Sequence, residues 1–283
     1  MPDPVVLISG CSSGIGRALA DTFKAAGYSV WAGARKEADL AQLSAAGFTA
    51  VALDVNDANS IELASGRLER EAGRLDVLIN NAGYGGIAPL LDGGVEAMHR
   101  QFETNVYSLV GVTRACFGLL RASKGLVVNI GSVSGVLTTP FAGAYCASKA
   151  AAHALTDALR MELAPFGIGV MEVQPGAIES NFGANASQQV ARMGAHDGHA
   201  QDGVFARHSQ HFHKAVGLAV GNGAIQVVDA VLGHFKRHAL CFGLLLVQAH
   251  TRHLGVDEGG GGYDRIVGLE QFPLAKQRVD RRI

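Results

Sequence analysis

Aromatic residues are scarce in this chain of 283 residues: one Trp, five Tyr and twelve Phe make up 6 % of it, and charged residues contribute 17 %. A nucleic-acid binder asks for a basic face, and a formal net charge of -1 does not advertise one. Cysteine is also sparse. Cys11, Cys116, Cys146 and Cys241 are scattered without C-x-x-C or zinc-ligand spacing, which argues against a disulfide-held module or a zinc site and predicts free thiols in a reducing, cytoplasmic setting. Met1-Pro2-Asp3-Pro4 carries no basic leader, and the longest late apolar run, Ala239 to Ala249, is too short for a bilayer. Neither export nor a stable membrane span is expected.

What is abundant is small and aliphatic. With 37 glycines and 48 % hydrophobic residues the chain suits stacked layers of helix and sheet, and its length predicts one domain with room for an appended segment. Short apolar runs alternate with longer amphipathic ones as far as Ala177, the pattern of repeated βα units around a parallel sheet. Six strands are predicted: Val5 to Ser9, Ser29 to Ala34, Thr49 to Asp54, Val77 to Asn80, Leu126 to Gly131 and Ile168 to Val173. Between the first two, Ile15, Leu19 and Phe23 recur at helical spacing and Gly27 supplies a stop, so Gly14 to Ala26 reads as a helix. The expected fold is therefore α/β, a doubly wound Rossmann-type parallel sheet with helices on both faces, whose ligands lie beyond the carboxyl ends of the strands.

Beyond Ala184 the composition changes: nine of the eleven histidines lie there, and Pro273 is the single proline. The expected division is a dinucleotide-binding and catalytic core, 1-184, and an atypical C-terminal segment, 185-283. One reading gives that segment a substrate lid, a helix at Ala224 to Phe235 and a seventh strand at Ala239 to Val247. Another, prompted by the Gly259 to Gly262 run, makes it a frame-shifted translation. His208, His211 and His213 lack carboxylate or cysteine partners at metal-ligand spacing and read as solvated loop residues.

Chemistry-bearing residues gather after strands. Ser9-Gly10-Cys11-Ser12-Ser13-Gly14-Ile15-Gly16 links the first strand to the first helix, with glycines where a backbone must turn sharply and approach a pyrophosphate at the helix N-terminus. Tyr145 and Lys149 stand four apart on a helix, so phenol and ammonium share a face, and a nearby cation favours phenolate. Ser132 follows the fifth strand and projects from the same sheet edge. His153, one turn beyond Lys149, reads as a packing residue, while Cys11 and Cys146 raise the expectation of sensitivity to thiol oxidation.

The G-x-x-x-G-x-G spacing at Gly10, Gly14 and Gly16, with Asn80-Asn81-Ala82-Gly83, Leu53-Asp54-Val55, Asn105, Ser132 and Tyr145-x-x-x-Lys149 in that order, resembles the short-chain dehydrogenase/reductase family over about residues 5 to 181. The chain departs from the family pattern at Ser9 and Ser180, where Thr is usual; both keep a hydroxyl. The resemblance implies hydride transfer between a nicotinamide and a carbonyl carbon. Tyr145 would be general acid and base, Lys149 would bond the nicotinamide ribose, Ser132 would polarise the carbonyl and Asn105 would anchor a relay water. It implies cofactor contacts from Gly10, Ser12, Ser13, Gly14, Ile15, Gly16, Asp54, Asn81, Ala82, Gly83, Tyr145, Lys149 and the loop Pro175, Gly176, Ile178 and Ser180. Ala34 fills the position where NAD enzymes of the family keep a carboxylate and Arg35 the basic one, so NADP(H) is the expected cofactor.

The expected substrate is a hydrophobic ketone, aldehyde or secondary alcohol, from the apolar set Val133, Leu137 and Phe141. No metal and no nucleic-acid partner are expected, and the resemblance implies a homo-dimer or homo-tetramer. The alternative is an NADP-binding regulatory protein without catalysis.

Overall fold

The computed structural model describes residues 3–176. The expected lid, the helix at Ala224 to Phe235, the strand at Ala239 to Val247, Ile178 and Ser180 lie outside the described residues.

Among the described residues six parallel strands form one sheet in the order β3-β2-β1-β4-β5-β6. They are β1 Val5–Ile8, β2 Ser29–Ala34, β3 Thr49–Ala52, β4 Val77–Asn80, β5 Leu126–Ile130 and β6 Gly169–Val173. Each predicted strand is present, within two residues of its expected ends. The helices between them are α1 Gly14–Ala25, α2 Glu37–Ala45, α3 Ala58–Glu71, α4 Leu90–Phe102, α5 Ser108–Ser123 and α6 Gly143–Leu163.

Side chains alternate across a strand, so β1 feeds two cores. Val6 and Ile8 pack with Leu19, Ala20 and Phe23 of α1 and Leu43 of α2. Val5 and Leu7 pack on the other face with Ile61 and Leu68 of α3, Val112 and Leu120 of α5 and Leu163 of α6. Burial on both faces explains why these strands read as nearly unbroken apolar runs. The order reverses at β1, whose partners are β2 and β4, which is the switch point where a doubly wound sheet opens a crevice at its carboxyl edge.

A polar seam interrupts the second core. Asn80, Asn129 and Glu172 stand side by side in the register of β4, β5 and β6. Asn80 Nδ2 donates to Thr113 Oγ1 (3.1 Å) and to Asn129 Oδ1 (2.9 Å), and Asn129 Nδ2 donates to Thr156 Oγ1 (2.9 Å). These bonds tie α5 and α6 to the strand ends in a fixed register, since an unmade buried hydrogen bond would cost about 1–3 kcal/mol. No helix among the described residues is long and apolar enough to cross a membrane.

Candidate active site

The glycine loop is shaped by a close approach of chains. Gly10 has φ +73°, and a Cβ at Gly16 would stand 2.3 Å from the Gly10 carbonyl oxygen and 2.4 Å from Asn81 Nδ2. Asn81 donates its amide to the carbonyls of Ser9 (2.8 Å) and Gly10 (3.1 Å). The Ser9 hydroxyl accepts in return from the N–H groups of Asn81 and Ala82, at 3.0 Å each. The two motifs therefore hold each other, and Ser9 supplies the hydroxyl that does it. Cys11 N–H bonds the Gly33 carbonyl at 2.8 Å, which anchors the loop to β2 as well.

That cradle suits a pyrophosphate. At the start of α1 the extended Ser13 makes no side-chain cap and the first turn holds no acidic residue, so its N–H groups and partial positive charge stay open to an anion. The thiols do not enter this chemistry. Cys11 is fully buried, donates to the Ile8 carbonyl, and burial pushes it up to about 12; Cys146 is 3 % exposed. The expectation of thiol sensitivity at these two sites is therefore corrected, because a reactive cysteine needs an accessible thiolate. Cys11, Cys116 and Cys146 are free, as expected; Cys241 lies outside the described residues.

At the carboxyl end of β2 Ala34 closes the strand, buried, and Arg35 and Lys36 follow it exposed. Asp54 lies just past β3, its carboxylate accepting from Asn56 N–H at 3.0 Å. The side chain is thereby fixed in a local turn beside the crevice. On the far side, Val133 N–H bonds the Pro175 carbonyl (3.1 Å) and Gly131 N–H bonds that of Val173 (2.7 Å), joining the loops after β5 and β6.

Ser132, Tyr145 and Lys149 come together. Ser132 opens a 3-10 turn, Val133–Gly135, and accepts from Ser134 N–H at 3.1 Å. Tyr145 stands in the first turn of α6 and its phenol shares a hydrogen bond with the Ser132 hydroxyl. Lys149, one turn on, is buried; its Nζ donates to the Ile130 carbonyl at 2.7 Å and lies 6.0 Å from the centre of the Tyr145 ring. Asn105 lies in a π-helical turn, Glu103–Tyr107, between α4 and α5. Its Nδ2 donates to Ser148 Oγ (3.1 Å) and to the Tyr84 carbonyl (3.0 Å), while its Oδ1 accepts from Tyr84 N–H (3.1 Å). Asn105 thus clamps α6 to the loop after Asn80-Asn81-Ala82-Gly83. Leu137 is exposed, and Val133 and Phe141 are partly buried.

The electrostatics differ from the sequence expectation at one point. Burial pushes the Tyr145 phenol above its usual range and outweighs the Ser132 hydrogen bond, which pulls it down. Lys149 does not overcome this because its ammonium is turned to the Ile130 carbonyl. Burial lowers Lys149 itself to about 8, against an upward pull from the Glu172 carboxylate. Near neutral pH the site therefore offers a protonated phenol beside an ammonium ion.

Two groups, Gln101 and Glu172, escaped the sequence reading, and a third, His153, has contacts beyond the packing expected of it. Gln101, 1 % exposed, donates to the Tyr84 carbonyl at 2.6 Å and accepts from Gly86 N–H at 2.7 Å, stapling the same loop as Asn105. His153 Nε2 stands 3.4 Å from Ser132 N and 2.9 Å from Glu172 Oε1, so it does more than pack. Glu172 gave no sign, since one polar residue in an apolar strand reads as a solvent-facing position. Among the described residues no group of His, Cys, Asp and Glu could hold a metal ion.

Known proteins are similar to this chain. A family model described as short chain dehydrogenase matches residues 4–191. The short-chain dehydrogenase cctT of Talaromyces islandicus is 37 % identical over 179 residues, covering 62 % of this chain and 63 % of that protein. The NADPH-dependent 1-acyldihydroxyacetone phosphate reductase of Schizosaccharomyces pombe is 37 % identical over 179 residues, covering 62 % of this chain and 60 % of its own. The match thus spans less than two thirds of either relative's length. Among solved structures, the alcohol dehydrogenase of Thermococcus sibiricus complexed with 5-hydroxy-NADP aligns with a TM-score of 0.60 and 29 % identity, over 64 % of this chain and 79 % of that one.

Proposed function

Since the chain belongs to the short-chain dehydrogenase/reductase family of oxidoreductases, we propose that it uses NADP(H) to reduce a hydrophobic ketone or aldehyde, or to oxidise the matching secondary alcohol, with Tyr145 as the proton donor and acceptor. The observation that carries this reading is the hydrogen bond between the Tyr145 phenol and the Ser132 hydroxyl at the carboxyl edge of the sheet, beside a glycine cradle. The bound cofactor supplies or receives a hydride at its nicotinamide ring. Ser132 holds the substrate oxygen, and Tyr145 passes it a proton as charge develops there. In the net reaction a C=O group gains one hydride and one proton and becomes CH–OH.

Reduction suits the site as it stands. A phenol pushed up by burial keeps its proton at neutral pH, where it acts as an acid. The Lys149 ammonium stabilises the phenolate left behind, and with the cofactor bound Lys149 would also bond a ribose hydroxyl. Because burial lowers Lys149 to about 8, the cation is present below that pH and lost above it. The kcat/KM for reduction is expected to be level through neutral pH and to fall as the pH rises through about 8; a profile level to the lysine's ordinary range would contradict this.

Cofactor choice rests on Arg35. Its exposed guanidinium and the absence of a carboxylate at Ala34 suit a 2'-phosphate, and the fission-yeast relative is described as NADPH-dependent. Losing a charge-assisted contact of about 1.5–3 kcal/mol, Arg35→Ala should weaken NADPH binding about tenfold to over a hundredfold and leave NADH nearly unchanged. Equal losses for the two cofactors, read by fluorescence titration, would oppose the assignment.

The protein is proposed to act in the cytoplasm as a homo-dimer or homo-tetramer joined through the helices carrying Asn105 and Tyr145. Leu91, Val95, Tyr107 and Val110, exposed on α4, the π-helical turn and α5, support that reading. The test of function is an NADPH-oxidation screen of the purified protein against aliphatic, aromatic and steroid ketones. Turnover of at least one apolar ketone is expected. NADPH binding without turnover of any would favour the regulatory alternative.

A further inference from the structure

Ser132 is gripped at two points by one face of α6. Tyr145, Lys149 and His153 follow each other at four-residue spacing, which lines them up along that face. The Tyr145 phenol meets the Ser132 hydroxyl. Two turns further on, the His153 ring meets the Ser132 backbone, whose N–H points to His153 Nε2 at 3.4 Å. It is the N–H that the sheet leaves over: those of Gly131 and Val133, on either side, go to the Val173 and Pro175 carbonyls at 2.7 Å and 3.1 Å.

Glu172 backs the ring from β6. Its Oε1 lies 2.9 Å from the same His153 nitrogen, and 14 % of the His153 side chain and 8 % of the Glu172 side chain are exposed. A charge contact so far out of water is little screened, which favours holding the two groups together. The fit around them is tight. A Cβ at Gly131 would lie 2.6 Å from Glu172 Oε1 and 2.7 Å from His153 Nε2, and one at Gly135 would lie 2.2 Å from His153 Cε1. Gly131 precedes Ser132, and Gly135 closes the 3-10 turn that Ser132 opens. The turn therefore wraps the ring closely, and neither moves without the other. Ser132 itself is buried and extended, at φ -170° and ψ 151°.

We propose that His153 and Glu172 are positioning residues for the reaction: wedged together from α6 and β6 behind the Ser132 turn, they fix its backbone so that the Ser132 hydroxyl stays aimed at the Tyr145 phenol and the substrate oxygen. This rests on the oxidoreductase reading, in which Ser132 and Tyr145 are the groups that touch the substrate.

The test joins turnover to amide hydrogen exchange. H153L/E172M removes both partners at once, so that neither is left buried alone. In this variant kcat for ketone reduction should fall about tenfold or more while the Kd for NADPH stays within about threefold, because the glycine cradle is untouched. In the cofactor-free protein the Ser132 amide should exchange at least about tenfold faster, while those of Leu7 and Leu78 in the middle of the sheet keep their rates. H153Q, whose amide can face both the carboxylate and the Ser132 N–H, should restore most of kcat. A smaller fall of kcat in the folded double variant, or an unmoved Ser132 amide, overturns the proposal. An equal loss of kcat and NADPH affinity also overturns it, by marking a scaffold role. Should the double variant not fold, H153N decides against H153Q: the shorter amide cannot span from α6 to the turn, so kcat should fall in H153N alone, and equal values in the two overturn the wedge. The exchange measurement needs neither cofactor nor substrate. A wild-type protein inactive in the ketone screen overturns the oxidoreductase reading, while an unmoved Ser132 amide overturns the role of His153 and Glu172 alone.

Discussion

Replacing Tyr145 with Phe is expected to lower kcat/KM for carbonyl reduction by about a hundredfold to ten-thousandfold, the usual contribution of a positioned general acid, while NADPH affinity stays within about threefold of the wild type. The two effects separate because the phenol oxygen faces Ser132 and the ring's other contacts survive in Phe. The lysine one turn on keeps its bond to the Ile130 carbonyl, so the floor of the crevice is unchanged. Steady-state kinetics beside a fluorescence titration of NADPH reads both quantities. A variant retaining more than about a tenth of the wild-type kcat would mean that another group donates the proton. Loss of NADPH binding along with the rate would place Tyr145 in the scaffold.

The second large effect is expected at the opposite end of the crevice. In Gly16→Ala the new methyl would stand 2.3 Å from the Gly10 oxygen and 2.4 Å from Asn81 Nδ2, distances no real Cβ tolerates. Neither neighbour can yield cheaply. The carbonyl is backbone in a turn with φ +73° at Gly10, and the Asn81 amide is held by its bonds to Ser9 and Gly10. The loop must therefore move away from the start of α1. If two N–H contacts to phosphate are lost at about 1.5–3 kcal/mol each, NADPH binding weakens by about a hundredfold or more. Overpacking should also take about 1–3 kcal/mol from stability in the cofactor-free protein. Thermal unfolding with and without NADPH separates the two. Wild-type affinity in this variant would mean that the pyrophosphate is held elsewhere.

Much of this arrangement was legible in the residues. The strands announced themselves because both faces of the sheet are covered, which turns each into a short apolar run, and α1 did so through Leu19 and Phe23. Ser132 and Tyr145 were separately readable as a hydroxyl after a strand and a phenol opening a helix. Their hydrogen bond follows from β5 and α6 meeting at one edge. What escaped depends on contacts between elements. Gln101 looks like any polar helix residue until the chain folds Tyr84 and Gly86 over it. The bond of the Lys149 ammonium to the Ile130 carbonyl and the burial that raises Tyr145 also come from contacts between elements, so the expected lowering of the phenol does not follow from the spacing of the two residues. Glu172 and His153 lie on different elements, and only the register of β6 against α6 brings them together. The cofactor loop continues at Ile178 and Ser180, beyond the described residues, and the family match itself ends at residue 191.

The account stands or falls on direct hydride transfer at the point where Ser132 and Tyr145 converge. With both hydrogens at the transferring carbon of the nicotinamide of NADPH replaced by deuterium, and an apolar ketone taken from the screen, the wild-type protein should form an alcohol that carries one deuterium on its former carbonyl carbon. An alcohol formed without the label would contradict the mechanism, whatever the fate of the cofactor.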